Sequence, residues 1–469
     1  MIKAAVVKVF ATIQEPDYSS PWQTRLAEQA TGSGVVIGPN QVLTGAHVVA
    51  NATFIELQKI HEPDKSIARV LAVCHDSDLA LLELEDASFL DGIDPAPLGE
   101  LPDLEDRVSV LGYPVGGEEL SVTEGVVSRI EVQCYSHSER YLMAVTVDAA
   151  INDGNSGGPV VMDGRVVGIA FQSMDDAENV GEMVPTPLIR HFLKCVKDGL
   201  NPAIPSLSIA WQTLQNPVMR MANGLANGGS GVLVTHVDYG GAASGVLQVG
   251  DVLLNLGGYS IANNGTILFD ESYRMALHAV LGMHFVGQDL SVQVLRDGEV
   301  LNLTVNLKAP AHLVPMANYD KDPTYFIYGG VIFQPLTLDY LEEWSMWHQK
   351  APRELVQTYY RGVRTKEQQQ YVVVTQILAD RVTVGYENIS EQGVLSINGQ
   401  QPRDLRHLIE MVEAEEGLVK IEVTKGMSIV LQAHQVAEAT PRILERYRVP
   451  LDRSKDLLTP QGRGPLPTS

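Results

Sequence analysis

The segment that most constrains this 469-residue chain is Asp153-Gly154-Asn155-Ser156-Gly157-Gly158-Pro159. A serine is set among three glycines, which let the backbone turn sharply and let other groups approach it closely. In such a turn the N–H groups of Gly154 and Ser156, with Asn155 between them, can point at one spot. Negative charge developing on a carbonyl oxygen would be stabilised there. Glycine–serine turns are also ordinary loops, so the meaning of this one depends on the rest of the chain.

Two other segments supply that context. Thr44-Gly45-Ala46-His47-Val48-Val49 follows the apolar run Gly34-Val35-Val36-Ile37 and the turn Gly38-Pro39-Asn40. This predicts a strand, a tight turn and a second strand that ends in small residues beside His47. His75-Asp76-Ser77-Asp78-Leu79-Ala80-Leu81-Leu82 then places an acid at the opening of a buried apolar strand. The order His47, Asp78, Ser156 is the chymotrypsin order, not that of subtilisin or the α/β-hydrolases. In such a set Ser156 attacks a carbonyl, His47 takes its proton and later protonates the leaving amine, and Asp78 fixes the imidazole tautomer. Gly154, Asn155 and Ser156 form the oxyanion hole. His61, His75, His137 and His191 lack the setting of His47 and read as surface or satisfied polar groups. Asp76 reads as a turn cap.

TGAHVV, DLALL and AINDGNSGGPVV resemble the signature segments of the HtrA/Deg serine proteases. Gly112-Tyr113-Pro114 through Ser121–Ser128, Pro21-Trp22-Gln23 and the C-terminal half are most similar to the plant-type Deg branch. The resemblance implies a mainly β fold: a chymotrypsin-like double β-barrel protease domain followed by two PDZ-like α+β domains. It implies an ATP-independent endopeptidase that degrades unfolded or damaged proteins, with PDZ domains that bind C-terminal peptides or regulate assembly. The alternative is a chaperone or PDZ scaffold with a weakly active protease domain. Asp153 departs from the family, which usually has proline there. Proline would fix φ, and Asp153 adds a negative charge near the site.

Composition and punctuation divide the chain. Its length exceeds one ordinary core, and 45% hydrophobic against 19% charged residues suffices for several. Residues 1–200, rich in short apolar runs and turns, are expected to form the protease domain. Asn201–Pro205 reads as a linker. Residues 216–308 resemble a PDZ domain, and the resemblance implies a carboxylate loop near Arg220 to Leu225. Residues 326–436 are expected to be a second, divergent PDZ-like domain with a helical insertion, Leu338 to Arg361, and an assembly role. Residues 452–469 are expected to be a disordered tail. No apolar run is long enough to span a membrane. Net charge is −23, and residues 1–200 hold 30 acidic against 13 basic residues. That argues against nucleic acid and anionic membranes. Three scattered cysteines, Cys74, Cys134 and Cys195, fit a reducing compartment. No metal-ligand spacing and no nucleotide motif is present, so neither metal nor cofactor is expected. The expected location is the cytoplasm, or the periplasm or an organelle if a targeting segment preceded residue 1.

Four finer expectations follow. Ala150 would form the floor of the S1 pocket, with Ile151, Ile169, Ala170 and Phe171 as apolar walls. Cleavage would then follow small or medium aliphatic residues. Asn155 stands where trypsin-type zymogens have Asp, so activity would need no new N-terminus. Control would lie in the ordering of loops Tyr113–Val122 and Gln172–Glu182. Homo-oligomers built from trimers are implied by the family, with Phe10, Tyr18 and Trp22 either supplying the contact surface or filling the first barrel.

Overall fold

The computed structural model describes residues 2–114, 119–149, 151, 154–173, 180–225, 228–270 and 272–458, apart from the side chains of residues 172 and 173. Ala150 and Asp153 lie outside the described residues, as do parts of both control loops. The chain forms two compact units. The first comprises residues 1–14, 27–237 and 241–310, and the second comprises 15–26, 238–240 and 311–469.

The first unit opens with two closed barrels. Strands β1 (Val6–Ile13), β2 (Glu28–Gly38), β3 (Gln41–Thr44), β4 (Ala52–Lys59), β5 (Lys65–Cys74) and β6 (Leu79–Leu84) close in the order β1-β2-β3-β6-β5-β4. The single helical turn α1 (Ala46–Val49) follows β3. Strands β7 (Arg107–Gly112), β8 (Ser121–Cys134), β9 (Tyr141–Val147), β10 (Pro159–Met162), β11 (Arg165–Ser173) and β12 (Gly181–Pro185) form the second barrel, in the order β10-β11-β12-β9-β8-β7. Short strands of Val, Ile and Leu suit this architecture, because closure leaves no edge for aggregation. Helix α2 (Thr186–Asp198) follows with Pro187 in its first turn, where the missing N–H costs nothing. It ends at Gly199 in the left-handed region, φ 66°.

A separate sheet completes this unit. Strands β13 (Ile209–Thr213), β14 (Val232–Val237) and β15 (Val252–Leu256) lead into the short β16 (Tyr259–Ser260) and the hairpin β17 (Thr266–Phe269) and β18 (Tyr273–Ala276). After them come β19 (Asp289–Arg296) and β20 (Glu299–Asn306), giving the order β13-β14-β15-β19-β20. Helix α3 (Pro217–Ala222) lies between β13 and β14 in sequence, and α4 (His278–Leu281) follows β18. One apolar core runs through the barrels and this sheet. Asp251, 1% exposed, accepts two 2.7 Å bonds from Arg296, so the buried carboxylate is matched by a planar guanidinium.

The second unit contains the sheet β21 (Phe326–Tyr328), β22 (Val331–Pro335), β23 (Val372–Ile377), β24 (Gln392–Ile397), β25 (Leu418–Val423) and β26 (Ser428–Gln432), in that spatial order. The helical insertion comprises α5 (Leu338–Glu342), α6 (Trp347–Lys350) and α7 (Arg353–Arg361). Helix α8 (Leu405–Glu413) packs its buried Leu405, Leu408, Ile409 and Val412 into the sheet's core. Helix α9 (Ala433–Tyr447) runs through residue 436, the expected end of the third domain. The chain beyond it returns to the sheet: Ile327 N–H donates to Asp452 O and Ser454 N–H to Tyr325 O. Residues 452–458, ending in α10 (Lys455–Leu458), are therefore ordered, a correction to the expected tail. The rest of that tail lies outside the described residues.

Residues 15–26, which follow β1 in sequence, also belong to the second unit. Tyr18, 7% exposed, enters an apolar cluster with Leu336, Tyr340, Trp347 and Leu355. Its N–H donates to Glu343 Oε1 at 3.0 Å, and its carbonyl accepts from Gln334 Nε2 at 2.9 Å. Trp22 meets Tyr325 edge to face, with centroids 5.9 Å apart. Tyr18 and Trp22 thus do not fill the first barrel: Tyr18 is buried and Trp22 half-buried against the second unit. Phe10, half-buried on β1, carries Lys65 Nζ 3.5 Å from its ring.

Candidate active site

The local folding of the first barrel positions His47. The turn after β3 brings Gly45 beneath the ring: a Cβ there would meet His47 Cε1 and Nδ1 at 2.7 and 2.9 Å. The residues of α1 around His47 (Ala46, Val48 and Val49) are buried, while His47 remains partly exposed. Asp78 sits in the turn between β5 and β6 with φ 52° and no solvent exposure. Its Oδ2 lies 2.6 Å from His47 Nδ1, and its Oδ1 accepts the His47 backbone N–H at 2.8 Å. One carboxylate therefore holds both the ring and the main chain of the histidine.

The electrostatics follow from that contact. Burial lowers the His47 pKa, but the Asp78 charge and hydrogen bond outweigh it, so the imidazole binds its proton more tightly than usual. Burial likewise raises Asp78. The charge and hydrogen bond of His47, with a further contribution from His137, outweigh that and keep the carboxyl below its ordinary value.

Ser156 lies in the turn between β9 and β10, the only partly exposed residue of Gly154–Pro159. Gly154 and Gly157 have φ of 93° and 80°, which favours glycine at both positions. Space also requires glycine at 157 and 158: a Cβ on Gly157 would meet Thr44 Oγ1 and Ser33 O, and one on Gly158 would meet Leu111 O. Ser33, on β2 and fully buried, ties this turn down. Its hydroxyl donates to Gly154 O at 2.7 Å and accepts from Tyr113 N at 2.8 Å. Its N–H donates to Ser156 O at 2.9 Å, and its carbonyl accepts from Thr44 Oγ1 at 2.7 Å. Among the described residues the N–H groups of Gly154 and Ser156 make no hydrogen bond. His47 Nε2 also has no partner there. The structure therefore brings His47 and Asp78 together and places the Ser156 turn against β2 and the histidine turn, with no bond from Ser156 to the imidazole.

The substrate-binding expectations fare differently. Ala150 lies outside the described residues. Ile151 is buried and packs where a Cβ of Gly181 would stand. Ile169 is fully buried. Phe171 stacks on the enclosed Tyr135 ring at 4.4 Å, which commits it to the barrel core and not to a pocket wall. Ala170, expected in the apolar wall, has its main chain in the serine turn: its carbonyl accepts from Gly157 N at 2.8 Å and its N–H donates to Gly158 O at 2.9 Å.

Other residues are also relocated. Asp76 does more than cap its turn: it accepts Ile204 N at 2.8 Å and approaches Arg140 Nη1 at 3.6 Å. His75 and His137 are bonded to each other, and His191 stacks on Phe285. Arg220–Leu225 is not a carboxylate loop before the first strand. It is α3 with its C-terminal turn, and the Arg220 guanidinium is bound to Leu214 O and Gln215 O. The first strand is β13, preceded by Ser206–Ser208, with Ser208 at φ 54°. Among the described residues β13 is an edge strand, able to accept another strand. In the second unit the corresponding edge of β22 is covered by the chain's own β21.

Comparison with known proteins now adds to this geometry. A trypsin-like peptidase domain model matches residues 32–169, and PDZ domain models match residues 205–307 and 314–456. The chain is 37% identical over 461 residues to Protease Do-like 2, chloroplastic, of Arabidopsis thaliana, covering 97% of this chain and 76% of that protein. It is 34% identical over 449 residues to Protease Do-like 4, mitochondrial, of the same plant, covering 95% and 84%. The structure resembles that of the HtrA-type protease AlgW with a decapeptide, with TM-score 0.50 and 24% identity, covering 65% of this chain and 95% of that one. No helix among the described residues is long and apolar enough to cross a membrane.

Proposed function

The chain belongs to the Do-like (HtrA/Deg) family of serine proteases, and from that membership we propose that Ser156 is its nucleophile, His47 its general base and Asp78 the residue that orients the base. The observation that carries this reading is the double grip of Asp78 on His47, at 2.6 and 2.8 Å, beside a glycine-bound serine turn. His47 would take the Ser156 proton as Oγ attacks the scissile carbonyl. The N–H groups of Gly154, Asn155 and Ser156 supply the oxyanion donors. His47 then protonates the leaving amine, and water completes deacylation by the same base.

Substrates are unfolded or damaged proteins. C-terminal peptides add to the β13 edge of the first PDZ domain, while the β22 edge is unavailable. Cleavage follows small or medium aliphatic residues at a pocket including Ala150 and Ile151. The assembly is a homo-oligomer built from trimers. The locations in the relatives' names support an organelle over the cytoplasm, and fractionation of source cells decides between them.

The test is casein degradation by wild type, Ser156→Ala and His47→Ala, each checked for folding. Both variants are expected to be inert while remaining folded. Activity retained by either would overturn the assignment.

A further inference from the structure

The segment between α2 and β13 lies on the turn that carries Asp78. Cys74, at the end of β5, donates its thiol to Pro202 O at 3.0 Å. Asp76 Oδ2 accepts at 2.8 Å from the N–H of Ile204, which is 1% exposed. Arg140 stands in the turn of the second barrel closed by Tyr135 N–H donating to Arg140 O. Its Nη2 donates to both Ile204 O at 3.0 Å and Pro205 O at 3.1 Å. Its Nη1 is 3.6 Å from Asp76 Oδ1, near enough for attraction between the charges but beyond a hydrogen bond. Ser138, in the same turn, donates its hydroxyl to Asp76 O at 2.8 Å. The segment then enters the first PDZ domain: Ser206 N–H donates to Lys308 O at 2.9 Å, and Leu207 O accepts from Ala243 N at 3.1 Å.

We propose that Asp76 and Arg140 are positioning residues for Asp78, and that through them the segment joining the barrels to the first PDZ domain, Pro202–Pro205, helps to hold the catalytic aspartate. The inference rests on the reading of Asp78 as the residue that orients His47. Asp78 needs such support. Its φ of 52° lies in the left-handed region, where a residue other than glycine persists when its surroundings hold it there. It must also aim both oxygens at once, one at His47 Nδ1 and one at the His47 backbone N–H. The turn itself closes on a bond from Asp78 N–H to His75 O of 3.2 Å, at the long end of the range.

The two ends of the turn are held differently. Its exit is fixed within the first barrel, where Leu79 opens β6 paired with Cys74. Its entry, through Asp76, is fixed from outside, by Ser138 of the second barrel and by Ile204 of the joining segment. Arg140 ties these two supports to each other. Without the Arg140 side chain, the carbonyls of Ile204 and Pro205 lose its donor, and without that of Asp76 the Ile204 N–H loses its acceptor. Either loss frees the segment to lift and Asp78 to drift from His47. The Ser138 bond still attaches the turn, so the barrels remain folded. Arg140 and Asp76 make no contact with the Ser156 turn, so the loss falls on kcat and not on KM, and it acts through Asp78.

The test measures kcat and KM of the full chain on a fluorogenic peptide, with active-site titration correcting for inactive protein. Asp76→Ala and Arg140→Ala are made in wild type and again in an Asp78→Asn background. In wild type each is expected to lower kcat by about 10- to 100-fold, the upper figure being what a 1 Å misplacement costs, with KM within about threefold. In the Asp78→Asn background each is expected to change kcat by less than about threefold, because the residue they position no longer works; effects that pass through one group do not add. A purely structural role would multiply the two losses. Loss of the same factor in both backgrounds, a loss in KM alone, or kcat within about threefold of wild type in both variants would overturn the proposal. Each variant breaks the same clamp, so one that folds poorly is replaced by the other. Arg140→Lys, which keeps the charge but not the planar fork, serves if neither folds, with the same dependence on Asp78 expected. If Asp78→Asn alone keeps the wild-type kcat, the assignment of Asp78 fails. If Asp78→Asn is impaired and the clamp variants behave as wild type, only the clamp fails.

Discussion

Ser33→Ala tests how the serine turn is held, at a residue no motif marks. The Ser33 hydroxyl is fully buried and bonds to Gly154 O at 2.7 Å and from Tyr113 N at 2.8 Å. Alanine would leave one acceptor and one donor unsatisfied, each costing about 1–3 kcal/mol. The two groups share one small void, so a combined loss of about 2–4 kcal/mol is expected, a large part of a typical total of about 5–15 kcal/mol. A melting shift of about 3–6 °C for the first unit follows. The functional effect is separate. Releasing the Gly154 carbonyl frees the peptide that aims the oxyanion amides, and such displacements cost about 100-fold in kcat. Thermal denaturation by circular dichroism reads the first effect. Turnover of a fluorogenic peptide, corrected by active-site titration, reads the second. A variant melting within about 1 °C of wild type, with kcat within about threefold, would refute the reasoning.

Other outcomes follow from the same contacts. Because His47 must be neutral to accept a proton and its pKa is held above the ordinary value, activity should rise with pH along a limb centred above about 6.5; a limb below that value contradicts the Asp78 contact. Asp78→Asn should lower kcat by about 10⁴-fold by selecting the wrong tautomer, read by single-turnover kinetics. Tyr18→Ala should destabilise the second unit by about 3 kcal/mol through its vacated cluster, measured by urea unfolding. Asp380 is buried and its pKa is depressed, chiefly by its hydrogen bond to Arg442. Its contribution is therefore present above the ordinary aspartate value and lost as pH falls through the depressed one. Asp380→Asn should flatten the acid limb of the second unit's stability.

Much of the barrel architecture could be read from the sequence because each strand is short, apolar and bounded by glycine, proline or asparagine. His47 and Asp78 were legible for the same reason: each borders a strand whose direction is set by burial. Edges were harder. Ile209–Thr213 exposes Ala210, Gln212 and Thr213, so it lacks the apolar alternation of a buried strand and gives no sign in the sequence that it is the first strand of its sheet. Tyr18 and Trp22 carry no local signal of the partner they pack against, since Gln334 and Glu343 lie over 300 positions away. Ser33 is one serine among many until the long-range bonds to Gly154 and Tyr113 are seen. Phe171 and Ala170 are apolar, as a pocket wall would be, but the Tyr135 ring takes up the first and the serine turn the main chain of the second.

The central claim is that Ser156 is the nucleophile of an enzyme activated by His47 and Asp78. The most direct measurement is peptide mapping by mass spectrometry after reaction with a fluorophosphonate probe. A single adduct on Ser156, absent from Ser156→Ala and formed far more slowly in Asp78→Asn, is the predicted result. An adduct on another serine, or labelling that persists in Ser156→Ala, would contradict the account.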